Sequence, residues 1–241
     1  MNTPSSDIIV MTSGAFTAAF LNLIPQFERA TGKKIVVAAT SMGTGAGSIP
    51  SRLERGEPVD VVIVADDALL KFIKEGKVLA DSRVPLARSS IGMAVRQGMA
   101  RPDISSVDAL KATLLRAKSI AYSSSVSGEY LSKELFQRLG MADQILPKCR
   151  RIEGGQRVGA ALARGEAEIG FQQISELLPE PGIDIVGPLP PEVQKVSLFS
   201  GGVAVNSRNP QAAHALIKFL GSPDAAHAIT KSGMELICDQ E

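Results

Sequence analysis

The chain has no tryptophan, and aromatic residues make up only 4% of it. Stacking on nucleic-acid bases or sugar rings needs exposed aromatic planes, so this composition speaks against both kinds of partner. Charge is close to balanced: 26 basic and 25 acidic residues leave a net +1, without the basic field that a nucleic-acid binder carries. Cysteine and histidine are scarce, with only Cys149, Cys238, His214 and His227. Their spacing matches no zinc-ligand pattern, so neither a metal nor a cofactor is expected. The two cysteines suffice for one disulfide in an oxidising compartment, and sequence leaves their pairing open. No run approaches the ~20 apolar residues of a membrane-spanning helix. The segment from Met1 to Asp7 is polar and leads at once into a strand, so no signal peptide is visible. The expected compartment is the periplasm if a leader has been removed, and otherwise the cytoplasm.

What is present is an ordinary globular composition, 44% apolar and 21% charged over 241 residues, enough for one large core or two modest domains. Against that background stand four clusters of small and hydroxyl residues, each between an apolar strand and a helical run. They are Thr12-Ser13-Gly14, Thr40 to Ser48, Ser123 to Gly128, and Glu153 to Arg157. A helix start leaves backbone N–H groups unpaired and carries partial positive charge, while small residues let a ligand approach closely. Singly, each cluster is a tight turn. Together, at the carboxyl ends of strands, they describe an anion pocket. The Gly43 to Gly47 segment is neither a P-loop nor a dinucleotide fingerprint, so nucleotide cofactors are not expected.

Strands and helices alternate from Ile8 onward, which predicts an α/β fold with mostly parallel sheets. Phe16, Phe20, Leu23 and Phe27 recur at helical spacing, with Pro25 expected to kink or break that helix and Gly32 to end it. Ser48, Asp66 and Ser106 are expected helix caps. A helix is predicted from Tyr130 to Leu139, and a strand from Glu168 to Gln172.

Several segments resemble the type II periplasmic solute-binding proteins, and among them the molybdate-binding family of ABC transporters. They are Ile9 to Phe16 (IVMTSGAF), Arg52 to Asp66 (RLERGEPVDVVIVAD), Gly128-Glu129-Tyr130-Leu131 with Leu139-Gly140, and Gly165 to Gly170 (GEAEIG). The resemblance runs nearly end to end. It implies two lobes, residues 1–84 with 196–241 and residues 85–195, joined by two crossing strands with the ligand in the interlobe cleft. It also implies a monomer that delivers a small anion to membrane subunits of an ABC transporter.

By that resemblance the ligand loops are Ser13-Gly14-Ala15, the Gly43 to Ser48 loop with Thr44 and Gly45, Ser125 with Ser127 and Gly128, and Gly155-Gln156-Arg157. Ala15 stands where the family has a ligating serine, and Gln173, beside Gln172, where it has a tyrosine. Arg157 adds a guanidinium that forks onto carboxylates. These replacements turn the expectation from molybdate or tungstate towards an organic di- or tricarboxylate. An enzyme on the same lobes, an isomerase of a polycarboxylate such as aconitate, is the rival reading. It requires a base, for which Glu129, Glu153, Tyr130 or an activated serine are the candidates.

Overall fold

The computed structural model describes residues 7–39, 41–43, 45–153 and 155–237, so Thr44, Gly154 and Cys238 lie outside it. The chain opens with β1 (Ile8–Thr12), α1 (Gly14–Thr31), β2 (Ile35–Ala39), α2 (Ile49–Glu54), β3 (Val61–Ala65), α3 (Asp66–Lys74) and β4 (Val84–Ser89). Next come β5 (Ile91–Arg96), α4 (Val107–Arg116), β6 (Ile120–Ser123), α5 (Val126–Tyr130), α6 (Phe136–Arg138), α7 (Ala142–Ile145) and β7 (Cys149–Ile152). They are followed by α8 (Val158–Ala163), β8 (Ile169–Gln173), α9 (Ile174–Leu177) and β9 (Ile183–Pro188). The last elements are β10 (Ser197–Val203), α10 (Pro210–Leu220), α11 (Ala226–Lys231) and β11 (Glu235–Leu236).

Two compact units result, the first up to Arg88 and again from Ser197, the second from Ser89 to Val196. The division falls between Arg88 and Ser89, at the last residue of β4. The first unit is built on one sheet of order β11-β4-β10-β3-β1-β2, the second on one of order β7-β6-β8-β5-β9. Both sheets are mixed, which corrects the expectation of mostly parallel pairing. β1 lies parallel to β2 and β3, and β6 parallel to β7 and β8, because helical crossovers join them. β10 returns from the second unit and runs antiparallel to β3, and β5 enters from the first and runs antiparallel to β8 and β9.

Each sheet has its own apolar cores. In the first unit Phe16, Phe20, Leu23 and Phe27 of α1 pack with Val10, Ile63 and Phe199. In the second, Leu110, Leu114 and Phe136 close over Met93, Ile120 and Phe171. α1 passes through Pro25 without a break and ends at Gly32, whose φ of 68° is a left-handed C-cap. Pro25 lies on the exposed face, and Leu21, whose carbonyl loses its helical donor there, is exposed too, so water can satisfy it. Ser48 and Ser106 cap α2 and α4, accepting from Ser51 N and Ala109 N. Asp66 is not a cap: Ala65 holds that position, and the Asp66 carboxylate is engaged elsewhere. The helix expected from Tyr130 begins at Val126 and passes through a π-helical turn, Leu131–Leu135, before α6.

Buried Asp60 ties the start and end of the first unit together. It accepts hydrogen bonds from Ile9 N, Ser207 Oγ, Arg208 N and Asn209 N. Burial pushes the Cys149 thiol up to about 11; the pairing with Cys238 that sequence leaves open lies outside the described residues. His214 and His227 are exposed. Among the described residues no helix is long and apolar enough to cross a membrane.

Candidate functional site

In the first unit β2, β1 and β3 are neighbours and parallel, so the segments after them share one edge of the sheet. Ser13 follows β1 as the N-cap of α1, with its N–H given to Ile63 O at 2.8 Å. Its side chain makes no capping bond, and its buried Oγ has no hydrogen-bond partner. Buried hydroxyls are nearly always paired, so an orphan needs a reason. The helix behind it is 18 residues long and has no acidic residue in its first turn, which leaves its positive end uncompensated. Gly14 and Ala15 supply the first backbone N–H groups there.

The loop after β2 is partly spent on its own structure. Ser48 donates to Gly45 O and caps α2, and Ile49 N donates to Ser41 O. Gly45 is exposed at a φ of 131°, a conformation that favours glycine. After β3, Asp66 accepts two bonds from Arg83, at 2.7 and 2.8 Å, and one from Ser200 at 2.6 Å. The Arg83 bonds, and behind them Ser200, hold its carboxyl below the usual range against the opposing pull of burial.

In the second unit β7, β6 and β8 form the corresponding parallel triplet. β6 ends in a cluster of hydroxyls: Ser123 Oγ lies 2.7 Å from Ser125 Oγ and 3.0 Å from Ser127 Oγ. Gly128 is required by packing, since a Cβ there would stand 1.7 Å from Ser123 O. After β7, Gly155 and Gln156 are exposed, and Arg157 is the N-cap of α8. Arg157 is 48% exposed in its side chain and donates to Glu180 at 2.6 Å. It is therefore a paired, accessible cation rather than a buried lone one.

β8 ends in Gln172 and Gln173, both buried. Gln172 Oε1 accepts from Val158 N at 3.1 Å and so satisfies the start of α8. Sequence reasoning did not single out Glu176, in α9 directly beyond these glutamines. Burial pushes its carboxyl up to about 7, opposed by a hydrogen bond from Gln172 and the charge of Arg157 and assisted by Glu180.

Of the bases suggested by sequence, Glu129 is partly exposed and paired with Lys133 and Arg151. Glu153 is exposed and paired with Arg151. Tyr130 donates its hydroxyl to Val193 O at 2.8 Å. The structure thus gathers Ser13, Gly14, Ala15 and Gly45 on one sheet edge of the first unit. It gathers Ser125, Ser127, Gly155, Gln156, Arg157, Gln172 and Gln173 on one edge of the second.

Two α/β units, each with hydroxyl and backbone donors where parallel strands end, define a class: the two-lobed, type II periplasmic binding fold. The chain belongs to the bacterial extracellular solute-binding protein family, whose profile matches residues 8–235, and within it to the molybdate-binding-like type. It is 48% identical over 233 residues to a protein named aconitate isomerase from a Pseudomonas species, covering 96% of this chain and 88% of that one. It is 26% identical over 241 residues to molybdate-binding protein ModA of Azotobacter vinelandii, covering 96% of this chain and 91% of that one. The solved periplasmic molybdate-binding protein of Azotobacter vinelandii shares the fold, with a TM-score of 0.77 at 19% identity, over 97% of this chain and 100% of the other.

Proposed function

We propose that this chain binds a small tricarboxylate of the aconitate kind and isomerises it. The observation that carries anion binding is the buried, unpartnered hydroxyl of Ser13 at the uncompensated start of α1. The likeness to aconitate isomerase, at 48% identity, supports the choice of a carboxylate and of turnover. Within the second unit, Arg157 and the serine cluster after β6 are donors of the kind that suit carboxylate oxygens.

The chemistry asks little beyond a base. A carbon–carbon double bond does not rotate freely, but aconitate has a saturated carbon between a carboxylate and its double bond. Removing a proton there and returning it at the far end of the double bond moves the bond and lets its geometry change. This transfer uses no redox step and no cofactor.

A second reading, capture of an anion for ABC-type uptake without turnover, is favoured by the family itself and by the 26% likeness to a molybdate-binding protein. In that case the compartment is extracytoplasmic and the partners are membrane subunits of a transporter.

One experiment separates the two. Thermal shifts are measured with cis- and trans-aconitate, citrate, molybdate, tungstate and sulfate, since a specific ligand raises Tm by mass action. Aconitate is then followed by proton NMR in deuterated water. Interconversion of the two isomers supports isomerisation. Binding of aconitate with an unchanged spectrum removes the catalytic reading, and a response to molybdate alone removes the carboxylate one.

A further inference from the structure

Three hydroxyls meet at the end of β6, and their hydrogen bonds can be counted proton by proton. Ser123 Oγ bonds Ser125 Oγ at 2.7 Å and Ser127 Oγ at 3.0 Å, and distance does not say which oxygen donates. Among the described residues these are the only bonds the three hydroxyls make. A serine hydroxyl has one proton to give and two lone pairs that accept. Three protons therefore serve two bonds, and one proton is left over.

Its place follows from burial. Ser127 is 1% exposed and Ser123 6%. Ser125 is half-buried, and its side chain makes no capping bond to the helix it precedes. If Ser125 donates to Ser123 and Ser123 to Ser127, the spare proton lies on Ser127, buried and without an acceptor. If Ser125 and Ser127 both donate to Ser123, it lies on Ser123, buried as well. A buried donor without an acceptor carries the full cost of its desolvation. Only the order Ser127 to Ser123 to Ser125 brings the spare proton to the half-buried hydroxyl, where water or a ligand oxygen can take it. Packing holds the serines close enough for this: a Cβ on Gly128 would stand 1.7 Å from Ser123 O, so α5 approaches the end of β6 only with glycine there.

We infer that Ser127 and Ser123 are positioning residues that aim the Ser125 hydroxyl outwards as a donor, towards an ionised carboxylate of the bound anion; this rests on the reading above. Ser127 thus acts behind the ligand contact rather than in it. A hydroxyl that donates becomes a better acceptor for the one behind it, so an anion at Ser125 strengthens the whole relay. A ligand group that presents its own O–H meets a second donor at this point and is disfavoured.

The test is a double-mutant cycle in the full chain, with affinity for cis-aconitate and for molybdate read by calorimetry and folding by thermal denaturation. Ser125→Ala should weaken binding by about 10-fold, and Ser123→Ala, which leaves the ligand contact in place, by about 3- to 10-fold. In a Ser125→Ala background, Ser123→Ala should change affinity by less than about 2-fold. Ser127→Ala should weaken binding by about 2-fold alone and have no effect once Ser125 is gone. Unchanged affinity in Ser123→Ala, or an equal loss with and without Ser125, overturns the relay, because a residue that only supports the fold acts in both backgrounds. A loss in Ser127→Ala that persists without Ser125 puts Ser127 on the ligand and overturns it too. If Ser123→Ala does not fold, the Ser127→Ala cycle decides alone. A wild type that binds molybdate but not aconitate removes the isomerase reading, and the molybdate cycle then decides the relay. Binding of neither removes both.

Discussion

Ser13 and Asp66 occupy similar places, each just after a strand of the first sheet, and the structure treats them oppositely. Asp66 is fully satisfied, whereas Ser13 leaves its hydroxyl unused. Replacing Ser13 with Ala should therefore weaken ligand affinity by about 10-fold, near 1.4 kcal/mol, without lowering Tm in the ligand-free protein. Calorimetry with thermal denaturation checks both halves, and a fall in Tm with unchanged affinity would assign Ser13 to the fold. For Asp66 the sign runs the other way. Its folded pKa lies below the usual 3.8, so its stabilisation is complete above that value and is lost as pH falls through the folded one. The Tm difference between wild type and Asp66→Asn should thus be largest above pH 5 and shrink towards pH 2. Sequence gave no access to this contrast, since Arg83 and Ser200 reach Asp66 from 17 and 134 residues away. The same holds for Arg157, which composition alone presents as an unpaired cation and which Glu180 neutralises across 23 residues.

At the scale of the element, most of what the chain does locally was legible. Ser48, Ser106 and Gly32 act at helix ends as their chemistry dictates, because caps depend on residues within one turn. Strand direction was not legible: whether β10 lies parallel or antiparallel to β3 depends on where the chain has been in the meantime. Pro25 shows tertiary packing overruling a local preference, with the buried aromatic face of α1 carrying the helix through it. Since Pro25 is exposed, Pro25→Ala restores a backbone donor at no loss of packing. It should stabilise the protein by about 1–3 kcal/mol, read from denaturant unfolding with an unchanged m-value. A loss of stability instead would mean that the proline shapes α1 in a way the rest of the sheet requires.

At the scale of the whole molecule, the chain passes between its units twice, at Arg88–Ser89 and Val196–Ser197. Residues 89–196 are contiguous and contain a complete five-stranded sheet. The first unit is not contiguous, for β10 lies between β4 and β3 in its sheet. A fragment of residues 89–196 should therefore unfold cooperatively by circular dichroism, while one ending at Arg88 should show no cooperative transition. A cooperative melt of the shorter fragment would show that β10 is dispensable for the first sheet.

The place of β10 also bears on how the protein is made. A ribosome releases β1 to β4 early, yet the strand that must sit between β3 and β4 emerges only after the entire second unit. Until then both strands present open edges, able to pair with other chains or to be held by a chaperone. The nascent chain must keep this gap free of wrong partners for more than a hundred residues of synthesis, counted from Ser89 to Ser197. Order of birth and order of folding are thus reversed here: the unit begun first is the one finished last.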